Sequence, residues 1–529
     1  MTFLSRFLTV ADQVASQIRR LLQQVLDLLQ HMRQPPVQKQ LRQLPAREEL
    51  SPWASDFPLL DLTGAGDYLT VGMCCSGISI MGATGSGKTS AAVNIALPLM
   101  EIGCGFVWLC AKPDEVFLAR KLARAAGREH DVRVIGLDVD GKISPHRFNA
   151  LGYEASIATT GTGSLADYLC DCAKILSRKE GERSSAEGES YWQDQFNRLV
   201  RYCIDTARLA GRLLTVGLLR EIQLSAPTSP AQISDEAWAA RSICWQCLNE
   251  AEARLDAGEI AEVDFQRILN FFVRDYACLD PKPRGTVDVM FACLADAFTA
   301  EEPIRSILTT HTTVTPEDVI NYGKIVVLSL PTNIYHDAGR MAQFCFLYSV
   351  QRRMLARQKP ADGSLMRPVV SWIDEAHAFA HGKWAQFFAE VRSNRGINVL
   401  LEQGIGGYMR ALGLQHPEEV DGFLQNLALK CFFQNNSPAT NRFAADAIGR
   451  LLHAKSTDTW GSGESGGHAG GSETQEERHQ ISVGSFGLLK NGGTANGLIV
   501  EGYVLKPSLF NATGTNVALC RFQQTELTK

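Results

Sequence analysis

The sequence predicts an α/β protein: a parallel sheet flanked by helices, split by an inserted all-helical domain and preceded by an amphipathic N-terminal helix. Three observations predict it. Strand-like apolar runs alternate with helical stretches from about residue 70 to about residue 155. The pattern is then almost wholly helical from about Ser164 to Thr299. Strand-like runs return from Ile325 onward. Such alternation is the signature of a parallel sheet covered by helices, and its interruption places a second domain inside the first. A chain of 529 residues is too long for one ordinary core. The expected division is 1–50 for the N-terminal helix and linker, 51–160 and 311–529 for the two parts of the α/β core, and 161–310 for the helical insert.

Taken in order, Phe7, Ala11, Val14, Ile18, Leu21, Val25 and Leu28 keep a heptad spacing over residues 1–33, with Leu22 and Leu29 widening the stripe. Arg6, Arg19, Arg20 and Arg33 add positive charge. Such a helix can pack on its own domain, pair with a partner, or lie on an anionic membrane surface. Pro35-Pro36 ends it, and an Arg- and Gln-rich linker runs to about Pro52. Gly77–Met81, Phe106–Ala111 and Val132–Leu137 read as strands, with a helix over Glu115–Ala126. In the insert, Trp192, Phe196, Leu199, Cys203 and Thr206 share one helical face, and Phe265, Ile268, Leu269 and Phe272 another. Asp235, Glu236, Glu250, Glu252 and Glu259 give it an acidic surface. Ile325–Leu330, Val369–Ile373, Ile397–Leu401 and Leu427–Phe433 read as buried strands. Residues 456–475, around Trp460 and His468, are rich in Gly and Ser and are expected to form a mobile polar loop.

Composition is that of a globular protein, 45% hydrophobic and 21% charged. The net charge of −5 excludes a uniformly basic nucleic-acid coat, so any DNA contact must come from a local patch or a channel lining. The 14 cysteines lack disulfide-scaffold spacing, which predicts a reducing, cytoplasmic setting. Cys244-Trp245-Gln246-Cys247 has no second pair to complete a zinc site, since Cys170 and Cys172 are spaced wrongly, and buried thiols are expected. No run of about 18 uncharged apolar residues exists, so no spanning helix is expected.

Chemistry enters at Gly82-Ala83-Thr84-Gly85-Ser86-Gly87-Lys88-Thr89, which fits the phosphate-loop pattern at every position. A strand precedes it, and a helix from Ser90 to Met100 follows. Glycines let backbone N–H groups converge on phosphate oxygens, and the helix N-terminus adds partial positive charge. Lys88 would reach the β- and γ-phosphates of ATP, and Thr89 would hold Mg²⁺. The strand Val369–Ile373 ends in Asp374-Glu375. Asp374 can complete the metal shell, and Glu375 can orient or deprotonate the attacking water. An acidic strand end before a helix cap would give the same letters; the upstream phosphate loop favours the catalytic reading. Gln403, ending the next strand, can sense the γ-phosphate. Arg392 and Arg395 precede that strand and are candidates for a finger presented to a neighbouring subunit's nucleotide, or for an ordinary solvated loop.

These pieces come in a telling order. The phosphate loop is followed by Lys112-Pro113-Asp114-Glu115 and Phe148-Asn149-Ala150-Leu151. A helical insert opens near Tyr191-Trp192, then come Asp374-Glu375 and Arg392 through Gln403. The set resembles the type IV secretion coupling proteins, conjugative DNA-pumping ATPases of the FtsK–HerA superfamily. Ala150 stands in place of a usual proline, and Cys110-Ala111 in place of a usual Asp-Pro. The Gly-rich loop and a strand hairpin around Tyr503 and Phe510 extend the resemblance over roughly residues 60–525. It implies a RecA-like core, ATP and Mg²⁺ as cofactors, a ring of six subunits and DNA as partner. Such proteins usually carry a transmembrane anchor. This chain is similar to the anchorless members, so recruitment to the inner membrane would come through a partner or the 1–33 helix. The competing expectation is a protein-recognition ATPase, whose helical insert receives protein cargo or a defence-complex partner without pumping DNA; the acidic surface of the insert suits it.

Overall fold

Seven apolar runs of the sequence become neighbours in one sheet. The computed structural model describes residues 50–157, 161–177, 186–463, 466–525 and 527. The predicted helix over 1–33 and nearly all of its linker lie outside the described residues. Strands β1 (Pro58–Asp61) and β2 (Tyr68–Thr70) form a small antiparallel pair. The parallel strands are β3 (Ile78–Met81), β4 (Gly105–Leu109), β5 (Val132–Gly136), β6 (Ile325–Ser329), β7 (Val369–Ile373), β8 (Gly396–Glu402) and β9 (Leu429–Phe433). Strands β10 (Arg450–Gly463) and β11 (Gly466–His479) pair with each other. Strands β12 (Ile499–Leu505) and β13 (Val517–Gln523) add an antiparallel edge to the main sheet. Its order is β13-β12-β9-β3-β8-β7-β4-β6-β5.

The central strands are buried at every position and mostly apolar because both of their faces are covered. Alternate residues divide between two layers. Phe106 and Trp108 of β4 point into one apolar cluster, Val107 and Leu109 into the other. Trp108 stacks on Trp372 of β7, directly opposite in register, with ring centroids 4.6 Å apart.

Between β5 and β6 the described residues from Ala150 onward are mostly helical, with long helices at Ala186–Leu209 and Pro281–Thr299. Phe196, Leu199, Cys203 and Thr206 are buried on the predicted face, as are Phe265, Ile268 and Phe272 on the second. Phe196 and Phe291 belong to the same apolar cluster as Val107 and Leu109, so the insert shares a core with one face of the sheet. Cys244 and Cys247 are buried thiols, and none of the 14 cysteines is in a disulfide.

One expectation needs correction. The described residues of the polar loop predicted over 456–475 form a paired ladder, β10 against β11, with Trp460 opposite Ala469. Backbone pairing needs no apolar face, and Thr457, Thr459, Trp460 and Thr474 are residue types that favour strands. The hairpin expected around Tyr503 and Phe510 is β12–β13, with Phe510 buried in the connection. Among the described residues no helix is long and apolar enough to cross a membrane.

Candidate nucleotide site

The site lies where β3, β8 and β7, adjacent in that order, end at the same edge of the sheet. Open parallel sheets place their crevices at the carboxyl ends of strands. The loop after β3 turns through Gly85 (φ 76°) and Gly87 (φ 80°), backbone angles that favour glycine, and the helix Lys88–Glu101 starts at once. A Cβ on Gly82 would meet Ser86 Oγ at 2.5 Å, and one on Gly87 would meet Val500 Cγ2 at 2.6 Å. The loop is tied to its neighbours: Gly82 N–H donates to the Glu402 carbonyl (3.1 Å) and Ala83 N–H to the Gln434 carbonyl (2.9 Å). Ser86 Oγ is buried with no partner among the described residues. That orphan, with the left-handed turns, fits a loop that cradles phosphate oxygens.

Lys88 is buried and pulls the Asp374 and Glu375 carboxyls downward. Thr89 Oγ1 lies 3.3 Å from Asp374 Oδ2. A hydroxyl and a carboxylate side by side are the hard oxygen donors that Mg²⁺ takes, so these residues fit that ion. Burial raises the Asp374 carboxyl above the usual range, and Lys88 offsets part of that. Burial would also raise Glu375. Hydrogen bonds from Lys112 and Gln403 outweigh it and hold Glu375 below the usual range, ionised at neutral pH. Glu375 takes a left-handed backbone, φ 48°, the kind of strain that clusters at functional sites.

Gln403 bridges the two halves of the site. Its Nε2 donates to both Glu375 oxygens at 3.1 Å, and its Oε1 accepts from Thr84 Oγ1 at 3.1 Å. The sequence placed Asp374, Glu375 and Gln403 on adjacent strand ends beside the loop, and the structure brings them together. Ser90, in the first turn of the helix, accepts from Gln524 Nε2 at 3.1 Å.

Several nearby residues carried no assigned role in the sequence reading. Lys112 Nζ pairs with Glu375 Oε1 at 2.8 Å. Buried Glu402 accepts from the Gln403 N–H (2.8 Å), and from the His377 N–H and Nδ1 at 2.9 and 2.8 Å. The bond to Glu402 raises His377 above the usual imidazole value. Glu375, His377 and Glu402 could bring metal-ligand atoms within 4.8 Å of one another, but Glu375 already faces Lys112 and Gln403. Glu115 is buried near Asp374, and burial pushes its carboxyl well up. Asn491 and Val500 crowd Gly87 from the C-terminal segment. Local signals existed only for the polar pairs at strand ends, Glu402-Gln403 and Asp374-Glu375.

Arg392 and Arg395 stand elsewhere. They precede β8 and lie at the amino edge of the sheet, where the Arg395 carbonyl accepts from the Val369 N–H. Arg395 donates to Ser55 Oγ at 3.0 Å, and its Nε and other terminal nitrogen are buried without partners among the described residues. Arg392 is exposed.

No protein-family model matches the chain, and no curated protein does. Solved structures do. The unbound bacterial conjugative coupling protein TrwBdeltaN70 superposes with a TM-score of 0.58 at 11% identity, over 89% of each chain. The plasmid coupling protein TrwB with the ATP analogue ADPNP gives 0.56 at 12% identity, over 89% of this chain and 90% of that one. Its complex with ADP and Mg²⁺ gives 0.52 at 11%, over 88% and 89%. Identities this low speak for the fold alone, and the fold of this chain is that of a bacterial conjugative coupling protein.

Proposed function

We propose that this chain is a ring-forming ATPase that hydrolyses ATP to move or hand over DNA, in the manner of a coupling protein. One observation carries the reading. A phosphate loop, a Thr89–Asp374 oxygen pair and a Glu375–Gln403 pair converge at one sheet edge. The fold around them is shared with a conjugative coupling protein that has been captured with an ATP analogue.

The backbone of residues 82–88 and the Lys88 ammonium bind the β- and γ-phosphates. Thr89 and Asp374 would hold Mg²⁺, which would supply charge neutralisation at the phosphates. Glu375, kept ionised, takes a proton from the attacking water, and Gln403 orients that water against the γ-phosphate. Arg392, exposed at the opposite edge, is the first candidate for a finger reaching a neighbouring subunit's nucleotide, with Arg395 second. The helical insert and the N-terminal 33 residues are the places for partner docking, on the cytoplasmic side of the inner membrane.

The test is ATPase rate with and without DNA at low and moderate salt. Stimulation that fades with salt supports the reading, because each neutralised phosphate contributes about −0.9 to the slope of log affinity on log salt. Sequence preference should be weak, since phosphate contacts carry no sequence information. DNA-independent hydrolysis, with no DNA binding at low salt, transfers the assignment to a protein-recognition ATPase.

A further inference from the structure

Lys112 follows β4, on the far side of β7 from the phosphate loop, and its side chain comes back into the site. Its backbone is pinned: the Lys112 N–H donates to Glu115 Oε1 at 3.1 Å, and Glu115 itself is buried. Its ammonium is not pinned. The side chain is 49% exposed, and Glu375 Oε1 at 2.8 Å is the only acceptor it has among the described residues. An ammonium carries three donors, so two remain to be used. The proposed water-activating carboxylate is therefore tied to a cation that could serve a phosphate, and to Gln403, which is tied in turn to Thr84 of the loop. In this arrangement the groups meant for the γ-phosphate satisfy one another.

We infer that Lys112 is a second catalytic lysine: it holds Glu375 while no γ-phosphate is present and transfers to a γ-phosphate oxygen when ATP binds, freeing Glu375 for water. The inference rests on the proposed ATPase reading of this site. It follows from a competition between anions. A terminal phosphate carries more charge than one carboxylate, and a lysine stem is long and flexible enough to exchange partners over a short path. ADP has no γ-phosphate and leaves the Lys112–Glu375 pair in place. The site therefore distinguishes the two nucleotides by a residue outside the phosphate loop.

The experiment measures affinity for a non-hydrolysable ATP analogue and for ADP, both with Mg²⁺, in wild type, Lys112→Met and Lys112→Arg. Lys112→Met should bind ADP as wild type does and lose about tenfold or more in analogue affinity, what one charge-assisted hydrogen bond is worth. Lys112→Arg should keep part of the preference. An unchanged ratio of analogue to ADP affinity in Lys112→Met, even with a lower kcat, overturns the inference and leaves Lys112 as an anchor for Glu375. Failure of the wild-type protein to bind either nucleotide overturns the site reading and this inference with it.

Discussion

Replacing Glu375 by Gln tests the site most cleanly, because the structure separates its catalytic cost from its structural one. The side chain receives three described hydrogen bonds, one from Lys112 and two from Gln403. A glutamine carbonyl can still accept from both. What disappears is the charge of an ion pair whose lysine is 49% exposed. Glu375 itself is only 9% exposed, but the lysine left behind is solvated, so the loss should be roughly 0–1 kcal/mol, the fold should hold and the melting temperature should shift by only a few degrees. The catalytic loss is larger. A positioned base contributes about 10²–10⁴ in rate, or roughly 3–5 kcal/mol at about 1.4 kcal/mol per tenfold. The phosphate contacts proposed for residues 82–89 do not involve Glu375, so ATP should still bind. Glu375→Gln should therefore trap bound ATP with turnover lowered at least about a hundredfold. Single-turnover hydrolysis beside equilibrium nucleotide binding reads both quantities. Turnover within tenfold of wild type, in a protein that binds ATP normally, would refute Glu375 as the base.

Further outcomes follow from other contacts. Lys88→Ala should abolish hydrolysis while circular dichroism stays native, because the buried ammonium faces Asp374 and Glu375 rather than the apolar core. Gly87→Ala should cost about 1–3 kcal/mol, since the position is left-handed at φ 80° and the new Cβ falls 2.6 Å from Val500; a melt together with weaker nucleotide binding checks it. Asp67→Ala should cost about 3–5 kcal/mol by leaving buried Lys506, 3.5 Å away, without its countercharge. Burial raises Asp67, but bonds from Thr63, Asn511 and Ala512 bring it below the ordinary carboxylate value. Its contribution is therefore present above that value and lost as pH falls through the lower folded one, so the gap between wild type and variant should narrow in acid denaturation. Arg392→Ala subunits should lose about 10³-fold in turnover and be partly rescued by mixing with Lys88→Ala subunits; no rescue in confirmed assemblies would exclude a shared site.

Much of this was legible because the central strands are covered on both sides. Strands such as Ile325–Ser329 and Val369–Ile373 are then buried at every position and apolar except for one small serine each, Ser329 and Ser371, and such runs stand out. The phosphate loop was legible for a related reason: its glycines answer a local backbone demand that can be read from neighbours in sequence. What was hidden depends on contacts between distant segments. Nothing near Asn491, Val500 or Gln524 announces that they pack on Gly87 and Ser90. Glu402 looks like an ordinary polar strand end until its bonds to His377 and Gln403 are seen. The β10–β11 ladder was misread because polar, Gly-rich composition marks a segment that does not build a core, and backbone pairing leaves little trace in composition.

The two ends of β8 bear on assembly. Gln403 follows the strand and touches Glu375, whereas Arg392 and Arg395 precede it. Seven residues separate those ends, about 23 Å at roughly 3.3 Å per residue. No arginine side chain spans that distance, so neither arginine can reach the proposed nucleotide site of its own chain. Arg395 is further committed by its bond to Ser55, which leaves exposed Arg392 the freer of the two. If Arg392 acts on a nucleotide at all, it acts on a neighbour's, with the amino edge of one sheet facing the carboxyl edge of the next. That contact joins unlike surfaces, and repeated head-to-tail contacts close into a ring when the rotation permits. The finger and the ring are therefore one proposal. A protein that hydrolyses ATP at full rate as a strict monomer, across all concentrations, would remove both.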